Sequence, residues 1–143
     1  MSAHLRFGER SLARLATCDE RLVKVATLAL KVGMDFTVVS GWRGEAEQND
    51  LYSRGLSKQR WPDSHHNAVT ELGDPRSLAI DVAPWPIDWR DAKAFYHLAG
   101  VFRAVAFDLA IPLRWGGDWD MDFDLSDQTF MDLGHFELPR SAA

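Results

Sequence analysis

The chain has 143 residues and a formal net charge of −5, from 16 Lys+Arg and 21 Asp+Glu. That length suits one domain with its own core, and 46% apolar with 26% charged residues excludes a disordered chain. No apolar stretch approaches the roughly 20 residues of a membrane-spanning helix, so membrane insertion is not expected.

An acidic chain with scattered cations is a poor polyanion binder, which argues against nucleic acid as a partner. Cys18 is the single cysteine, so an internal disulfide and a Cys-based zinc finger are both excluded. Met1 to Arg6 carries neither a hydrophobic segment nor a cleavage site, and no secretory signal is expected. There is no repeat, low-complexity tract or Gly/Ser linker. Residues 1–143 read as a single domain, with a monomer as the default state.

In chain order, Thr17-Cys18-Asp19-Glu20 predicts a capping box with Thr17 as the cap. Leu22, Val25, Ala26, Ala29 and Val32 then recur at helical spacing before Gly33. Asp35 to Ser40 is a short β-branched stretch and predicts a strand. Glu45 to Arg54 predicts a helix, with acid in its first turn and Gly55 after its last. Leu56 to Ser77 loses all periodicity and predicts a long loop, a length that in a compact domain usually carries function. Leu78 to Ala83 alternates as a strand, with Leu78, Ile80 and Val82 on one face and Asp81 on the other. Trp89 to Leu109 predicts the strongest helix. Short strands are expected at Leu113 to Trp115 and His135 to Leu138. Mixed elements without a βαβ rhythm define an α+β class.

Imidazoles and carboxylates come from separate segments: His65-His66 in the loop, Asp81 on a strand, and Asp132 with His135 before the last strand. A catalytic zinc takes three such ligands and keeps one position open for water. Asp132 and His135 can face one site only if the chain bends, which Gly134 permits. On spacing alone this reading competes evenly with the bland one, in which the histidines are surface or core residues. His4 and His97 read as structural, Cys18 as a small core residue. No G-x-S-x-G is present, so Ser64 beside His65 is weak evidence for a serine nucleophile. Asp118, Asp120, Asp122 and Asp124 hint at a loosely bound calcium ion. Phe123 and Thr129 stand where an EF-hand needs Gly and Glu, so a solvated acidic loop is the stronger reading. Trp85, Trp115 and Trp119 are candidates for lining a cleft.

Three ordered motifs extend this reading: Ser64-His65-His66-Asn67, Ser77-Leu78-Ala79-Ile80-Asp81, and Asp132-Leu133-Gly134-His135-Phe136-Glu137-Leu138. With them the chain resembles the zinc peptidoglycan peptidases of the D-alanyl-D-alanine carboxypeptidase and L-alanyl-D-glutamate endopeptidase family, most of all the phage endolysins. The resemblance runs from near Phe7 to Leu138. It implies a Hedgehog/DD-peptidase-like fold, a small mixed or antiparallel sheet packed with helices. It also implies Zn2+ on His66, Asp81 and His135, with Asp132 as the base. Arg43, in a Ser-Gly-x-Arg segment, matches the family's substrate-carboxylate binder and oxyanion stabiliser. Gln48, Tyr52 and Trp115 match stretches assigned here to substrate binding. The implied activity is hydrolysis of the L-alanyl-D-glutamate bond of peptidoglycan stem peptides during host lysis. The enzyme would be made in the host cytoplasm and act on the wall after release. A D-alanyl-D-alanine carboxypeptidase or dipeptidase and a non-catalytic wall-binding module are the alternatives. Asn67 to Arg76 reads as an insertion relative to many relatives, and Gly134 stands where a proline is common.

Overall fold

The computed structural model describes residues 5–126 and 131–140. Thr129, whose identity argued against an EF-hand, lies outside them. The elements are α1 (Glu9–Leu15), α2 (Glu20–Val32), β1 (Phe36–Ser40), α3 (Glu45–Ser53), a 3-10 turn (His65–Asn67), β2 (Ala79–Pro84), α4 (Ala92–Asp108), β3 (Arg114–Trp115) and β4 (His135–Glu137). The strands form one antiparallel sheet in the order β1-β2-β4-β3. The expected α+β class is what the chain adopts.

α2 and α4 pack on each other and on the sheet through one apolar stripe each. Leu22, Val25, Ala26, Ala29 and Leu30 are buried on α2, and Phe95, Leu98, Ala99, Phe102, Val105 and Ala106 on α4. Phe102 sits at the centre, stacked on Phe136 of β4 at 4.5 Å and edge-on to Phe36 of β1 at 5.2 Å. Ile80, Val82 and Phe136 complete this core from the strands. The opposite face of β2 and β4 is thereby left for Asp81, His135 and Glu137.

Several boundaries differ from expectation. The α2 cap is Asp19, whose carboxylate accepts from the Arg21 backbone N–H. Thr17 is used elsewhere: its hydroxyl donates to the Arg14 carbonyl and accepts from the Trp42 backbone N–H. Val32 is 62% exposed, and Leu30 takes its place in the core. α4 starts at Ala92, because Asp91 caps it by accepting from the Ala94 N–H and residues 85–90 are taken up in turns. The long loop contains an ordered 3-10 turn. Ser64 accepts from the His66 N–H, and the Asn67 side chain accepts from the Ser64 N–H. That hydroxyl therefore caps a turn. Residues 68–76 form a side excursion closed on itself, with Val69 bridged to Pro75 and the Arg76 N–H on the Ala68 carbonyl. The main path resumes without offset, since the Leu78 N–H binds the His65 carbonyl.

Candidate metal centre and cleft

Cross-strand register builds the centre. Asp81 of β2 lies directly opposite His135 of β4, so both side chains leave the same face of the sheet. His135 Nδ1 is 2.9 Å from Asp81 Oδ1. The 3-10 turn brings His66 against the same carboxylate, with Nε2 3.3 Å from Asp81 Oδ2. A second link fixes that turn: the Arg43 backbone N–H donates to the His66 carbonyl.

The His66 ring has a defined tautomer. Its Nδ1 lies 2.7 Å from the Gly41 carbonyl, which can only accept, so Nδ1 carries the hydrogen and Nε2 presents a lone pair. That Nε2 is buried and makes no hydrogen bond. Donor atoms of His66, Asp81 and His135 all lie within 4.8 Å of one another. A buried, unsatisfied lone pair converging with a second imidazole and a carboxylate is the donor set that suits zinc, and these residues fit such an ion. His65 is not part of this convergence; its Nε2 lies 3.2 Å from Glu137 Oε2.

Electrostatics agree with a site built for a cation. Burial alone would raise the Asp81 pKa, but the adjoining His66 and His135 imidazoles hold it well below the ordinary carboxylate range. Burial opposes the charge on His135, yet hydrogen bonds to Asp81 and Glu137 raise its pKa to about 10. Both of its nitrogens therefore face carboxylate oxygens, and a cation between Nδ1 and Asp81 would replace one proton.

The centre opens into a cavity of about 380 Å³. Arg43, Ser57, Lys58, Gln59, Arg114, Trp119, Asp132 and Glu137 line it with the three candidate ligands. Asp132 stands at its edge, where desolvation by the surrounding walls and the nearby Asp81 charge raise its pKa. Its position is set through its backbone: the Asp132 N–H binds the Gly116 carbonyl at 2.7 Å, and its own carbonyl accepts from the His135 N–H. A Cβ on Gly116 would fall 2.2 Å from the Asp132 carbonyl oxygen, so only glycine allows this approach. Gly134 acts by the same principle. It has no left-handed backbone, but a Cβ there would meet the Val82 carbonyl oxygen at 2.4 Å. Close packing on β2 is what Gly134 provides. Arg43 donates from Nη2 to Asp81 Oδ2 at 2.8 Å, with its Nε on the Ser40 hydroxyl at 3.2 Å.

Three residues expected to bind substrate do not line the cavity. Gln48 is fully buried, and its amide donates to the Ser57 hydroxyl and the Gln59 carbonyl, holding the loop that does line it. Tyr52 is exposed and lies under the Arg60 guanidinium, 5.4 Å from ring to cation. Trp115 is 3% exposed; its indole N–H donates to the Leu133 carbonyl and it belongs to the core. Of the three tryptophans considered, Trp119 lines the cleft, while Trp85 is exposed outside it. Arg114 was not singled out in the sequence, because its place in the cleft depends on β3 pairing with β4.

The acidic loop is only partly convergent. Oxygens of Asp118, Asp120 and Asp122 approach one another, whereas Asp124 accepts from the Ser126 backbone and hydroxyl. Asp118 is buried and already takes a cation, the Arg103 guanidinium, at 2.9 Å. Calcium has no support from the family comparisons.

Two imidazoles and a carboxylate at the floor of a cleft, with a carboxyl of raised pKa and a guanidinium beside them, define the arrangement of a metal-assisted hydrolytic site. The comparisons place the chain among peptidases. The family model for phage L-alanyl-D-glutamate peptidase matches residues 2–139, and the chain belongs to that family. It is 37% identical over 140 residues to the L-alanyl-D-glutamate peptidase of Escherichia phage T5, covering 93% of this chain and 97% of that protein. Its fold is similar to that of the Serratia marcescens L-Ala D-Glu endopeptidase ChiX, with a TM-score of 0.76 and 27% identity over 97% of this chain and 93% of that one.

Proposed function

We propose that this chain is a zinc-dependent endolysin that hydrolyses the L-alanyl-D-glutamate bond of peptidoglycan stem peptides. The observation that carries the reading is the convergence of His66, Asp81 and His135 on one point beneath Asp132 and Arg43. Family membership supports the same bond, because both relatives are named for it. His66 through Nε2, Asp81 and His135 through Nδ1 would hold the ion, which when bound polarises a carbonyl and lowers the pKa of water.

The remaining work falls to the protein. Asp132 accepts the proton of the attacking water and returns it to the leaving amine, a role its raised pKa favours. Arg43 is held at the cleft by Asp81 and Ser40, where its fixed charge stabilises the developing oxyanion or a substrate carboxylate. Gln48 serves substrate indirectly by fixing residues 57–59. The whole of residues 1–143 acts as one catalytic domain and as a monomer. It is made in the host cytoplasm and reaches the wall at lysis. No helix among the described residues is long and apolar enough to cross a membrane.

A second ion on the 118–124 loop has one observation in its favour, the buried Asp118 Oδ1 without a hydrogen-bond partner. Calcium titration followed by melting temperature tests it: an upward shift supports the site, and no shift removes it.

Digestion of purified Gram-negative peptidoglycan with and without chelator tests the main reading, with fragments read by mass spectrometry. Stem peptides beginning at D-glutamate, lost with chelator and restored by zinc, are expected. Release of D-alanine alone would move the assignment to a carboxypeptidase, and zinc binding without cleavage to a wall-binding module.

A further inference from the structure

We infer that Glu137 is a positioning residue for the metal centre: it selects the tautomer of His135 and is itself locked by Arg114 and His65. The inference rests on the zinc reading above and concerns a residue to which that reading gives no role.

Glu137 is 4% exposed, and each of its oxygens is committed. Oε1 lies 2.7 Å from His135 Nε2. Oε2 takes the Arg114 guanidinium, with Nε at 3.2 Å and Nη2 closer, and lies 3.2 Å from His65 Nε2. Arg114 is the direct cross-strand partner of Glu137 on β3, so the clamp is built into the sheet register. Paired with the Arg114 guanidinium, the carboxylate presents only acceptors toward His135.

The consequence for His135 follows from donor and acceptor chemistry. An ionised carboxylate at Nε2 requires a hydrogen there, which leaves Nδ1 as the nitrogen able to offer a lone pair toward Asp81 and His66. Glu137 is not itself a ligand in this arrangement. The imidazole ring stands between its carboxylate and the point where the three donors meet. His65 thereby has a function distinct from that of its neighbour: it belongs to the outer clamp, whereas His66 belongs to the centre.

Glu137→Gln is the informative variant because it keeps the volume. Its single carbonyl oxygen cannot serve both Arg114 and His135; whichever loses it faces an NH2 group, donor against donor. Zinc affinity is measured by competition with a chromogenic chelator, with near-UV circular dichroism as the check on folding. The expected result is a folded E137Q protein binding zinc about 10–100-fold more weakly than wild type. The bands of the cobalt-substituted protein should also change. Arg114→Gln removes the anchor from a partly exposed position and should weaken zinc several-fold with the fold retained. Folded E137Q with wild-type affinity overturns the inference. Should E137Q fail to fold, wild-type affinity in R114Q overturns it instead. Failure of the wild-type protein to bind zinc is a separate outcome that refutes the metal reading itself.

Discussion

Asp81 and His135 face each other across β2 and β4, with His135 Nδ1 2.9 Å from Asp81 Oδ1. Two residues 54 positions apart are thus brought together by sheet register alone. A one-residue slip of β4 would turn His135 into the core, expose Phe136 and part the histidine from Asp81. The same pairing that closes the hydrophobic core therefore assembles the candidate centre.

The two adjacent histidines should separate cleanly. His66→Ala removes the buried Nε2 that converges on Asp81 and is expected to abolish stoichiometric zinc binding. His65→Ala leaves the three donors in place and should retain the metal with a modest loss of affinity. Zinc content of the two purified variants by elemental analysis checks this.

Gly134→Ala should destabilise the protein without touching a ligand. The added Cβ would fall 2.4 Å from the Val82 carbonyl oxygen, a backbone atom that cannot rotate away. Overpacking of this kind costs about 1–3 kcal/mol, to be read as a lower denaturation midpoint. A midpoint equal to that of wild type would show that the β2–β4 approach is looser than described.

Asp19 gives an acid limb to stability. Burial alone would raise its pKa, but hydrogen bonds from Arg21 and the charges of Arg21 and Arg76 hold it below 3.8. Its contribution is complete above the unfolded value and is lost as pH falls through the folded one. Asp19→Ala should therefore lower stability near neutral pH by about 1–2 kcal/mol, largely through the lost cap. The difference from wild type should shrink in acid, as seen in urea titrations from pH 6 to pH 2.

The sequence reveals more of the site than of its supports. His66, Asp81 and His135 sit in motifs that resemble the family's ligand set, although spacing alone left them even with structural histidines, and helix periodicity locates α2 and α4 to within a few residues. The α2 cap was misplaced because Thr17 and Asp19 are both competent caps, and the choice depends on Trp42, which claims the threonine hydroxyl. Glu137 could be placed on the His135 face from strand alternation, but its clamp needs the β3–β4 register. Trp115 and Gln48 look like cleft residues in sequence. Their burial is decided by long-range packing against Leu133 and residues 57–59.

The most direct test of the account measures zinc content and peptidoglycan cleavage on the same sample of Asp132→Asn. Asp132 lies in the cleft but is not among the three converging donors. The expected result is zinc retained at the wild-type level, with cleavage reduced about 10²–10⁴-fold, the range for loss of a general base. Cleavage at the wild-type rate with zinc in place would contradict the role assigned to Asp132 and the mechanism built on it.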